Sequence, residues 1–82
     1  MDNIDHKAKL IEQDIAFELK IERLRKQYTL EYVAKNLQMS TSYLSQIENK
    51  KRTKVSMNTL IRLSLFYEVD FSEIVIRASR NH

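Results

Sequence analysis

Residues 30–49 read LEYVAKNLQMSTSYLSQIEN, and the placing of the apolar side chains in this stretch decides the fold. On one continuous helix Val33, Leu37 and Leu44 share a stripe and Met39 and Ile47 share another, but the two stripes do not line up. Broken after Leu37, each half becomes a short amphipathic helix. Gln38-Met39-Ser40 is then a three-residue turn, with Met39 plugging the angle and the small Ala34 letting the second helix cross close to the first. Thr29 and Ser40 stand where an N-cap hydroxyl accepts from a free first-turn amide, which predicts helices over 30–37 and 41–49.

Outward from that stretch the chain has no breaker. It contains neither Gly nor Pro in 82 residues, which excludes phosphate-cradling glycine loops and dinucleotide fingerprints. Helices joined by minimal turns are expected, with Gln38 or Lys50 taking a left-handed helix end at roughly 1 kcal/mol more than glycine. Residues 1–27 read as one long helix starting near Asn3 or Asp5. One face carries Ile4, Ala8, Ile11, Ile15 and Leu19; the other carries Leu10, Phe17, Ile21 and Leu24. The second face either packs inside the domain or forms a seven-residue seam with another subunit, a seam that Asp14 interrupts. Ser56 caps a helix from Met57 to about Tyr67, with Leu60, Ile61, Leu63, Ser64 and Leu65 around its buried side. Asp70-Phe71-Ser72-Glu73 reads as a capping box opening a fifth helix. The polar tail 77–82 is expected to fray.

Composition narrows the class of function. No cysteine means no disulfide or thiolate metal site and fits a reducing cytoplasm. No stretch spans a membrane and no signal-peptide pattern is seen. The histidines, His6 and His82, lie in the two end segments, and no carboxylate pair or metal-ligand cluster is patterned, so no catalytic site, cofactor or metal is expected. The balance of 14 basic to 11 acidic residues gives a mild +3, concentrated in Lys50-Lys51-Arg52-Thr53-Lys54 just after the second helix of the pair.

A short helix, a tight turn and a second helix at a steep angle make a helix-turn-helix, whose second member can lie in a DNA major groove. Residues 15–76 resemble the phage-repressor-like (Cro/repressor, or xenobiotic-response-element) helix-turn-helix family. The matching pieces are Thr29-Leu30-Glu31, Val33-Ala34 and Ser40-Thr41-Ser42-Tyr43-Leu44-Ser45-Gln46-Ile47-Glu48, then Leu60, Leu63, Val69, Asp70 and Ile74 downstream. The run from Thr41 to Val75 is similar to small bacterial repressors of the sporulation-inhibitor and restriction-controller sort. The resemblance implies an all-α, five-helix lambda-repressor-like DNA-binding domain, here one domain over 1–82 with a helix-turn-helix core at 29–49 and an N-terminal helical extension at about 4–14. It also implies an ion pair between Arg23 and Glu48, with Arg25 as the alternative partner. Two departures stand out: Leu30 replaces a polar Gln, and Gln38 and Lys50 replace two glycines.

The groove geometry assigns roles. A recognition helix meets base edges with its N-terminal residues, here Thr41 and Ser42, with Gln46 one turn on and able to pair adenine at two points. Thr29 and Ser40 offer hydroxyls and helix-start amides to phosphates. Tyr43 is either a phosphate-contacting phenol or a packing residue. Asn49, Lys51, Arg52 and Lys54 either neutralise phosphates beside the groove or only answer the helix dipole. One such helix reads few base pairs, so a homodimer on double-stranded DNA is expected, joined through Phe71, Ile74 and Ala78 of the fifth helix or through Phe17 and Ile21 of the first. The reading is a transcriptional regulator, most simply a repressor. The alternatives are an antitoxin that also binds a toxin, or a protein-interaction module that kept the fold; an antirepressor is a further partner class.

Overall fold

The computed structural model describes residues 2–52 and 54–82, in which five helices and no strand occur: α1 (Asp2–Arg25), α2 (Leu30–Asn36), α3 (Thr41–Glu48), α4 (Met57–Phe66) and α5 (Phe71–Ser79). Helix α1 has 24 residues, about 36 Å at 1.5 Å per residue, and sets the long axis of a molecule measuring 39 × 23 × 18 Å. It packs most extensively on α5, then on α3 and α4, while α2 packs on α3.

The core is Leu19, Val33, Ala34, Leu44, Leu60, Leu63, Tyr67 and Ile74, with Ile15, Leu37, Met39 and Phe71 packed against it. Only one face of α1 serves it. Ala16 and Leu19 are buried, whereas Phe17 and Leu24 on the second face are 40% and 54% exposed. Near its start, Ile4 and Ala8 lie exposed. On α4 the inward positions are Leu60, Leu63 and Ser64, with Tyr67 one turn on at its C-cap. Ile61 and Leu65, expected on the buried side, instead form an outer stripe with Met57 at i, i+4, i+8. Helix α5 turns Ile74 and Ala78 wholly inward, so neither has surface to offer a second subunit; both therefore leave the list of interface candidates.

Each turn after α1, α2, α3 and α4 is built the same way without glycine. Gln27, Gln38, Lys50 and Glu68 sit at φ between 57° and 61°, in the left-handed region. The residue after each donates its N–H five residues back: Tyr28 to Arg23, Met39 to Ala34, Lys51 to Gln46 and Val69 to Ser64. These bonds satisfy carbonyls that a helix end leaves open. Thr29, Ser40 and Ser56 cap α2, α3 and α4 by accepting from the amide three residues on. Asp70 caps α5 through the Ser72 amide, but the box does not close, because the Glu73 carboxylate accepts from Arg77 instead. The tail is anchored rather than loose: Arg77 also donates to the buried Glu22, and His82 Nε2 bonds to Asp14.

Candidate nucleic-acid interface

Helix α3 has two chemically distinct faces. Its inner face is Leu44, Ile47 and Glu48, all buried. Glu48 is carried inward as a charge because Arg23 of α1 meets it with two parallel bonds, Nε to Oε2 at 2.7 Å and Nη2 to Oε1 at 2.9 Å. The third guanidinium nitrogen, Nη1, donates to the Tyr28 carbonyl at 2.7 Å, so one side chain ties α1, the α1–α2 turn and the end of α3 together. The bond from Glu48 holds the Arg23 pKa above its ordinary value despite burial. Burial, and then the charge of Glu48, push the neighbouring Tyr67 phenol up. Arg25 does not compete for Glu48; it bonds Glu22 at 2.8 Å.

The outer face presents the residues read from the sequence as base contacts. Ser42 is exposed, and Thr41, Tyr43, Ser45 and Gln46 are half-buried. Ser40 Oγ accepts from the Tyr43 amide at 3.0 Å and Thr29 Oγ1 from the Tyr32 amide at 3.0 Å, so both hydroxyls already serve their helices. Asn49 donates to Ser45 Oγ at 3.1 Å. Arg52 curls back over the helix: its guanidinium carbon lies 4.9 Å from the Tyr43 ring centroid and Nε donates to Gln46 Oε1 at 3.0 Å. Tyr43, Gln46 and Arg52 thus form one cluster on the outer face.

The basic run does not act as a block. Lys50 turns away from α3, its ammonium 3.3 Å from Asp14 Oδ1 and 5.2 Å from the Phe17 ring centroid. Lys51 and Arg52 are exposed. Lys54 is also exposed, and lines a cleft of about 600 Å³ with Asp5, Ala8, Lys9 and Glu12 of α1. Thr53 lies outside the described residues. The loop is held by residues not singled out as site residues: Gln13 Nε2 donates to the Lys50 carbonyl at 3.2 Å and Glu12 Oε1 accepts from the Val55 amide at 3.1 Å. Asp14 is bonded by both Lys50 and His82. Burial raises its pKa, but those two bonds outweigh burial and hold the carboxyl below its usual range. The one sequence signal for this buttress is Asp14 itself, a charge where a seven-residue apolar repeat calls for a hydrophobe.

Among the described residues no group of three or more His, Cys, Asp or Glu is placed to hold a metal, and no helix is long and apolar enough to cross a membrane. No curated protein matches the chain significantly. A family model described as Helix-turn-helix, of the Cro/repressor type, matches residues 19–74, from the buried Leu19 of α1 to the buried Ile74 of α5. That span takes in the ion pair, both capped helices of the pair and the basic loop. The chain therefore belongs to the phage-repressor-like helix-turn-helix family of DNA-binding regulators.

Proposed function

We propose that this chain is a transcriptional repressor that binds a palindromic operator as a homodimer in the cytoplasm and acts by occluding polymerase. The observation that carries the reading is the division of α3: a locked inner face beside an outer face of hydroxyl and amide side chains with a cation folded over it. A rod fixed in place with its polar face outward is the form a major groove accepts. Thr41, Ser42 and Gln46 take the base edges. The α2 and α3 starts at Thr29 and Ser40 meet phosphates through first-turn amides, and Asn49, Lys51 and Lys54 add positive or polar groups beside the groove. The whole chain, 1–82, works as one unit, with the 4–14 extension of α1 bracing the loop. For the dimer, Phe17 and Leu24 with the half-buried Ile21 form an apolar strip along α1, and Phe71 remains half-exposed at the start of α5. Two copies would set their α3 helices about 34 Å apart, one turn of the duplex.

Selecting bound duplexes from a random pool, then measuring affinity against salt, tests this. A palindromic consensus is expected, with log affinity falling against log salt at a slope of roughly −5 to −7 for a dimer that neutralises three or four phosphates per subunit. Gln46→Ala should flatten the preference at one position per half-site. Lys51→Ala should weaken all sequences alike and make the slope shallower by about 1 for each phosphate left without its lysine. Failure to enrich any sequence overturns the reading. A second reading, an antitoxin or a protein-interaction module, is favoured by one observation, the exposed stripe Met57, Ile61 and Leu65 on α4. Purification with a co-encoded protein that shields this stripe would support it.

A further inference from the structure

To read adenine, the base a glutamine amide pairs at two points, Gln46 must accept one hydrogen bond and donate another. The cluster on the outer face of α3 alters that chemistry. Arginine has only donors, so the 3.0 Å bond from Arg52 Nε can end only on the carbonyl oxygen of Gln46. The orientation of the amide is thereby assigned by chemistry: Oε1 turns toward the guanidinium, and Nε2, with no protein acceptor among the described residues, keeps its two hydrogens for a ligand. The Tyr43 ring, its centroid 4.9 Å from the guanidinium carbon, lies beneath Arg52 and supports it on the side from which it reaches Gln46. Among the described residues the two Nη nitrogens of Arg52 have no protein hydrogen-bond partner, and they carry four more donors beside the amide.

We propose that Gln46 and Arg52 act as one donor-only reading head for guanine rather than as an adenine-reading amide and a separate phosphate contact. The inference rests on the DNA-binding reading above and deepens it. Guanine shows two acceptors in the major groove, N7 and O6, whereas adenine shows the acceptor N7 beside the amino donor N6. A face of donors around a full positive charge matches the first edge and is mismatched to the second. The second lone pair of Oε1 does not rescue adenine, because the adjacent guanidinium repels the partial positive charge of an adenine amino group. Arg52 is thus a specificity determinant through what it does to Gln46, and Tyr43 is the positioning residue beneath it.

The test is selection of bound duplexes with the full chain in four forms: wild type, Arg52→Ala, Arg52→Lys and Tyr43→Ala. Thermal melting is measured alongside and is expected to be nearly unchanged for the two Arg52 variants. Wild type should enrich guanine at one position per half-site, by on the order of tenfold or more over adenine. Arg52→Ala frees the Gln46 carbonyl and should move the preference at that position from guanine toward adenine, leaving other positions as they were. Arg52→Lys keeps the charge but loses the guanidinium fork over the Tyr43 ring, and should give an intermediate preference. Tyr43→Ala should loosen the guanine preference in the same direction but by less. Two results overturn the inference while leaving DNA binding intact: wild-type enrichment of adenine at this position, or an Arg52→Ala protein that binds every sequence more weakly with its base preferences unmoved. A wild type that enriches no sequence overturns the DNA-binding reading itself, and this inference with it.

Discussion

The two faces of α3, a helix of eight residues, are held by different forces, and the contrast separates what fixes the helix in the core from what it presents outward. The inner face is fixed by burial and by a bidentate ion pair whose side chains are only 9% and 5% exposed. The outer face is organised by bonds that water can compete for, between side chains that are half-buried or exposed. Changes on the inside should therefore be read in stability, and changes outside in binding. A helix this short is marginal alone, so its position depends on its neighbours rather than on its own propensity.

The largest effect expected is the loss of one partner of the ion pair. Glu48→Ala leaves Arg23 charged, nearly buried and short of two acceptors, which costs about 3–5 kcal/mol. In a domain of this size, that is a large share of the total stability, and urea unfolding should show a largely unfolded chain. Replacing both partners by apolar residues of similar volume, Arg23→Met with Glu48→Leu, should be far milder, because no charge is stranded. If the single and double variants lose the same stability, the pair is not what positions α3.

On the outer face the expected outcome inverts. Gln46→Ala should leave the unfolding free energy, measured in urea, within about 0.5 kcal/mol of wild type while removing about 1–3 kcal/mol of discrimination at one base pair. A substantial stability loss here would erase the distinction between the two faces.

How much of this contrast is legible in the sequence depends on the range of the interactions. The break between α2 and α3, the Thr29, Ser40 and Ser56 caps and the inward Leu44 and Ile47 are written in local spacing, and they stand in the structure at those positions. The Arg23–Glu48 pair joins residues 25 apart and comes only from family resemblance. The bracing of the loop by Glu12, Gln13 and Asp14 spans 36 to 43 residues and has no local pattern beyond a charge in an apolar repeat. The direction of Arg52 is hidden for another reason: a flexible cation after a helix can reach phosphate, solvent or its own helix, and composition does not choose among them. Ile61 and Leu65 read as inward and stand outward because α4 is apolar on most of its circumference, which leaves periodicity little contrast to work with.

A smaller effect is expected at the turns. Gln38 and Lys50 both hold φ near 60°, a conformation in which the side chain meets the following carbonyl. Gln38→Gly should stabilise the domain by about 1 kcal/mol or less, since relief of that strain is partly offset by the greater freedom of an unfolded glycine. Lys50→Gly relieves the same strain but deletes the bond to Asp14, so its gain should be the smaller of the two, measured by urea midpoint.

The smallest effect, and the one that sharpens the comparison furthest from α3, is acid sensitivity at the brace. The bonds from His82 and Lys50 hold the Asp14 pKa below its ordinary value of 3.8, outweighing the opposite effect of burial. A carboxyl whose folded pKa is depressed stabilises the fold while it is ionised in both states. Its contribution is whole above the unfolded pKa and declines as pH falls through 3.8 toward the lower folded value. Asp14→Asn lacks this titration, whereas the remaining carboxylates titrate in both proteins and largely cancel in the difference. Urea midpoints from about pH 5 to about pH 2.5 should therefore show the lead of wild type over Asp14→Asn narrowing as pH falls. A margin that holds constant through pH 3 would mean that Asp14 gains nothing from its two partners. The loop that carries Lys51 and Arg52 would then be braced by Glu12 and Gln13 alone.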